Sequence, residues 1–90
     1  MRTVNSMDYQ PGCPAKSLAG HDKGRYYVIL SLDGETVALV DGERRTQGNP
    51  KRKNRKHVQV DGHRLFPDFP VPDGQIRARL KDYVKRRSME

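Results

Sequence analysis

The chain has one cysteine and no tryptophan, and aromatic residues make up 7% of its 90 positions. Cys13 has no partner for an internal disulfide. With His21, His57 and His63 scattered, it offers no metal-ligand spacing either, so no metal site is expected. No apolar run approaches the ~20 residues of a membrane span, and the amino terminus lacks an apolar signal core. A soluble cytoplasmic protein is therefore the expectation. Acids are scarce too: eleven Asp and Glu face eighteen Lys and Arg, a formal charge of +7, so the expected partners are polyanions. Catalytic contexts are missing as well. No nucleophile motif, carboxylate pair or phosphate-cradling glycine loop stands out, and nothing activates Cys13 between Gly12 and Pro14. The chain is not expected to be an enzyme or to hold a cofactor or small-molecule substrate.

A hydrophobic share of 33% predicts one small core with unpacked tails. Residues 1–8 are polar without periodicity and are expected to be flexible, with Met7 as a second plausible start beside Met1. In residues 10–19, Pro11 and Pro14 each remove a ladder donor, which predicts an edge or irregular first strand. The glycine-bracketed turn Gly20-His21-Asp22-Lys23-Gly24 then feeds the strongest strand pattern, residues 25–32. Its alternation sets Tyr26, Val28, Leu30 and Leu32 on one face and Tyr27 and Ile29 on the other. Asp33-Gly34 predicts a hairpin returning through residues 36–40, and Asp41-Gly42 predicts a further turn into a polar edge strand over residues 43–47. After Gly48-Asn49-Pro50, a basic run leads into a last strand at Val58-Gln59-Val60. About five short strands at this spacing predict a mostly β fold, a small barrel occupying residues 9–62.

Pro67, Pro70 and Pro72 predict a stiff extended connector over residues 63–72. A basic amphipathic helix follows over residues 73–87, with Asp73 as its cap and Ile76, Leu80, Tyr83 and Val84 on one face. A helix this short is marginal alone, so the stripe is expected to pack on the barrel, over the face bearing Tyr27 and Ile29.

These residues resemble the KOW domain, a module of ribosomal proteins and transcription elongation factors that forms part of an SH3-like barrel. The blocks that carry the resemblance are Gly12, Lys16-Ser17-Leu18-Ala19-Gly20, Asp22-Lys23-Gly24-Arg25-Tyr26 and Val28, then Val40-Asp41-Gly42, Pro50-Lys51-Arg52-Lys53-Asn54 and Lys56-His57-Val58. Similarity is greatest to small bacterial KOW-domain proteins related to eukaryotic and archaeal large-subunit ribosomal proteins, and the terminal Ile76-Arg77-Ala78-Arg79-Leu80-Lys81 resembles their closing helix. The chain departs from the family pattern at Cys13-Pro14, at Thr46-Gln47 and in its proline-containing connector. The resemblance implies an SH3-like barrel and a role in binding structured, ribosomal RNA rather than catalysis; association with the ribosome and a monomeric state are the accompanying expectations. It places the Lys23-Gly24-Arg25 turn, with Lys16 in the preceding block, against RNA.

The residues themselves add a charge argument. Lys51, Arg52, Lys53, Arg55 and Lys56 lie within seven positions, and Arg44 and Arg45 precede them, a density without compensating acids that suits phosphate neutralisation. Asn54 and His57 could add hydrogen bonds or base stacking, and Asn54 equally suits a turn cap. Neutralising the five cations of this strip together is expected to abolish most affinity without unfolding the domain. Two rival readings are a DNA-binding or transcription-elongation module and an SH3-like protein-interaction module that uses the tyrosines.

Overall fold

The computed structural model describes residues 9–61 and 63–89. Segment 1–8, with its two possible starts, lies outside the described residues. Five antiparallel strands form one sheet: β1 Pro14–Ser17, β2 Tyr26–Asp33, β3 Thr36–Val40, β4 Lys51–Asn54 and β5 Val58–Val60, in the order β4-β3-β2-β1-β5. A 3₁₀ turn, Arg55–His57, joins β4 to β5, and helix α1 spans Asp73–Ser88.

The β2–β3 hairpin forms where Asp33-Gly34 predicts it, with Asp33 paired to Thr36. Two strand expectations fail. β1 is an interior strand, paired with β2 on one side and β5 on the other. Its prolines do not prevent this, because Pro11 lies before the strand and Pro14 sits at its first position. The Pro14 carbonyl still accepts the Asp61 N–H at 2.9 Å. The Asp61 carbonyl beside it takes the Tyr83 hydroxyl, replacing a donor that proline lacks. Residues 43–47 form no strand. The Asp41 carboxylate accepts the N–H groups of Glu43 and Arg45, both at 2.9 Å, and folds the segment into a tight loop. The fourth strand is the basic run itself.

Strand alternation creates two apolar clusters. Cys13, Ala15, Tyr27, Ile29, Val37, Leu39 and Val58 form one, with Tyr9 and Val60 packed against it. Val28, Val40, Phe66, Ile76 and Leu80 form the other, with Tyr26 and Leu30 at its margin. The helix therefore covers the face of Val28, opposite to the expected face of Tyr27 and Ile29. The connector explains the choice: it carries Phe66 into the second cluster, with Leu65, Phe69 and Val71 beside it, so α1 starts on that side. Each large aliphatic side chain buried there contributes roughly 1.5–3 kcal/mol. Leu32 leaves the face of Val28 because a bulge between Ile29 and Ser31 reverses the parity of β2, pairing Leu32 with Val37 and leaving it at the exposed strand end.

Asp73 is not the helix cap: Pro72 holds that position, without a side-chain capping bond. The Asp73 carboxylate instead accepts the backbone N–H and the side-chain amide of Gln47, each at 3.0 Å, and these bonds lower its pKa. Nearby, Gly42 has φ +80°, and a Cβ there would overlap the Asp73 carbonyl and the Arg77 N–H. Gly42→Ala is accordingly expected to cost about 2–4 kcal/mol, combining left-handed strain with a backbone clash. A melting temperature within about 3 °C of the parent would refute this close approach as a determinant of helix docking.

Candidate nucleic-acid interface

Asp22 organises the site. Its side chain is buried, and three strands converge on the acid that the turn supplies: the Ser17 hydroxyl from β1 donates at 2.9 Å, the Tyr27 hydroxyl from β2 at 2.9 Å, and from β4 Lys53 Nζ lies at 3.2 Å and Lys51 Nζ at 3.7 Å. Burial alone would raise this carboxyl, but the hydrogen bonds from Tyr27, Ser17 and Lys53 and the Lys51 charge outweigh it and hold the group well below the usual carboxylate range. Burial, then the bond and charge of Asp22, push the Tyr27 hydroxyl up to about 12.

The pleat of β4 explains how lysines reach this acid. Lys51 pairs with Leu39 and Lys53 with Val37, so both project on the face of the first core cluster, while Arg52, opposite Ala38, projects on the other. The basic run is thus divided between two faces, and two of its cations neutralise a buried carboxylate. Others are also engaged. Asn54 accepts the Lys56 N–H at 3.0 Å and caps the 3₁₀ turn, the turn-capping reading of this residue. Arg55 stacks 4.7 Å from the Tyr9 ring centroid and donates to the Gly34 carbonyl at 3.3 Å. Lys56, His57 and Arg52 are exposed.

The turn that carries Asp22 is fixed to β1: the Gly24 N–H donates to the Ser17 carbonyl at 2.8 Å, and the Ser17 N–H to the Arg25 carbonyl at 2.9 Å. Gly24 has φ +91° with no atom within 4 Å of a Cβ position, so the backbone there is both left-handed and open. Lys23 is exposed, and Lys16, on the outer face of β1, sits 5.8 Å from the Tyr26 ring centroid.

Between this turn and loop 41–50 lies a cleft of about 460 Å³. Arg25 comes from one wall, Arg44 and Arg45 from the other, and Lys51 from the start of β4, with His21 and Asn49 adding polar edges. Among the described residues no ion pair involves Arg25, Arg44 or Arg45. The structure therefore joins the turn to the Arg44-Arg45 pair, which lie twenty positions apart in sequence. His21 and Asn49 were not legible as site residues, because their role depends on two loops meeting. Asp22 carried one signal, an acid inside a basic block, but its four partners are visible only in three dimensions.

On α1, three of the basic residues are matched by acids: Arg77 with Glu43 at 3.3 Å, Arg86 with Asp82 at 3.1 Å and Arg87 with Asp61 at 2.9 Å. Lys81 and Lys85 hold no ion pair among the described residues. Among the described residues no helix is long and apolar enough to cross a membrane, and no group of three or more His, Cys, Asp or Glu could hold a metal ion. In comparisons with known proteins, neither a family model nor a curated protein matches the chain.

Proposed function

We propose that this chain is a monomeric, cytoplasmic RNA-binding protein of the KOW type, built on an SH3-like barrel and associated with the ribosome through structured ribosomal RNA of the large subunit. The observation that carries the reading is the meeting of Arg25, Arg44 and Arg45 across one cleft, with no ion pair among the described residues to neutralise them. Two acids also line the cleft, but both are occupied, Asp22 by Ser17, Tyr27, Lys51 and Lys53 and Asp41 by the N–H groups of Glu43 and Arg45, which leaves the three arginines to a phosphate backbone.

The strand order supports the barrel, because β4 and β5 stand at opposite ends of the ladder yet are joined through only the 3₁₀ turn. The Tyr9 hydroxyl donates to the Val58 carbonyl at 3.1 Å at that junction. Ile29, Val37 and Leu39 are fully buried on a face that α1 does not cover, as a sheet curling on itself would bury them. Recognition on this reading works through phosphates and shape, with Lys16, Lys23, Arg52, Lys56 and His57 adding charge or hydrogen-bonding groups outside the cleft.

Neutralising about five phosphates gives a slope of log K against log salt of roughly −3 to −5. Sedimenting lysate through gradients at low and high salt should move the protein from large subunits to the top of the gradient. Competition between ribosomal RNA and duplex DNA at matched salt separates this reading from a DNA-binding one. Salt-insensitive association, or association that survives nuclease, would refute it in favour of protein interaction.

A further inference from the structure

A second concavity, of about 620 Å³, lies between the start of β2 and helix α1. Its character differs from that of the arginine cleft. Tyr26, Leu80 and Val84 give it an apolar lining, and the open backbone of Gly24 lies at its edge. Arg25, Lys81 and Lys85 stand around that lining, and none of the three has an ion pair among the described residues. The acids present are already committed: Glu43 to Arg77 at 3.3 Å, and the Asp41 carboxylate to the N–H groups of Glu43 and Arg45. That combination suits an anion that also carries an apolar group.

Arg25 and Asp41 line both concavities. A ligand whose charged backbone lies along the arginine cleft thus passes over Arg25 directly into the apolar groove. Spaced anions alternating with aromatic faces are the chemistry of a nucleotide strand. A base within a duplex is stacked away, so only an unpaired one can turn out and enter. Resting on the RNA-binding reading above, we infer that the groove between β2 and α1 receives one unpaired RNA base against Tyr26, Leu80 and Val84, with its flanking phosphates on Arg25, Lys81 and Lys85. The helix is on this view part of the recognition surface, and the preferred RNA is a helix interrupted by a bulge or loop.

The test compares three RNA hairpins by fluorescence anisotropy at fixed salt: one with a single bulged purine, one with an abasic bulge and one fully paired. The full chain is expected to bind the bulged purine roughly 10-fold more tightly than the abasic hairpin, the order of one stacked base. Val84→Glu should remove that preference. Lys81→Gln/Lys85→Gln, at two exposed positions, serves as the variant with no bearing on the core and should weaken the bulged hairpin more than the paired one. Equal affinity for all three hairpins, with arginine-cleft variants still weakening each, overturns this inference and leaves the RNA-binding reading intact. Failure to bind any of the hairpins or ribosomal RNA overturns both. An acidic leucine-containing peptide that displaces the bulged purine at lower concentration than RNA itself overturns the inference in favour of a peptide groove.

Discussion

Asp22→Ala is expected to lower stability by about 3–5 kcal/mol, the range for removing one partner from a buried charge cluster. A domain of this size has only a few kcal/mol more than that to lose. The carboxylate is the shared acceptor for Ser17, Tyr27, Lys53 and Lys51, so its loss leaves two hydroxyls and two ammonium groups without it at one end of the sheet. The melting temperature should fall by about 12 °C or more. A fall of under about 4 °C would refute the hub.

The acid limb of the stability profile gives an independent measure. Asp22 in the fold titrates well below the ~3.9 of an unfolded aspartate, so between those values the unfolded chain binds the extra proton. Its contribution is fully present above about pH 4–5 and is lost as pH falls toward the folded pKa. Asp22→Asn should flatten that limb. Tyr27 works in the opposite direction. Its hydroxyl is raised from about 10 to about 12, so its contribution is present below pH ~10 and is lost as pH rises toward 12.

Replacing Arg25, Arg44 and Arg45 together by glutamine should weaken RNA binding on the order of 100-fold at 0.1 M salt, taking about 1 kcal/mol for each charge-assisted phosphate contact. The slope of log K against log salt should become shallower by about 2–3, since each lost phosphate contact removes roughly 0.7–0.9. The melting temperature should move little, because these side chains make no ion pair among the described residues. Unchanged affinity and slope in a folded triple variant would refute the cleft as the phosphate site. Lys51→Gln/Lys53→Gln provides the contrast. Both lysines are tied to Asp22, so this variant should lose stability before its loss of affinity can be interpreted. Neutralising the whole basic strip without harming the fold, as the sequence suggests, is therefore not expected to succeed.

The local elements were largely legible. Alternation from Tyr26, the Asp33-Gly34 hairpin, the return strand and the spacing of Ile76, Leu80 and Val84 each follow from contacts or turn chemistry within a few residues. The placement of Lys51 and Lys53 was not, because a run of cations reads the same whether its side chains meet solvent or a buried acid. The expectation for residues 43–47 failed for a related reason: the Asp41 carboxylate organised a loop where strand pairing was expected.

A small β sheet, one amphipathic helix and an excess of positive charge follow from the amino-acid order alone, since periodicity and composition are properties of neighbouring residues. Which face the helix covers, the interior position of β1 and which arginines meet across one cleft emerge only from long-range packing. Alternation establishes that a strand has two faces but carries no information about what packs on each. Phe66 and the connector settle that choice, bringing together residues whose separation along the chain hides their proximity in the fold.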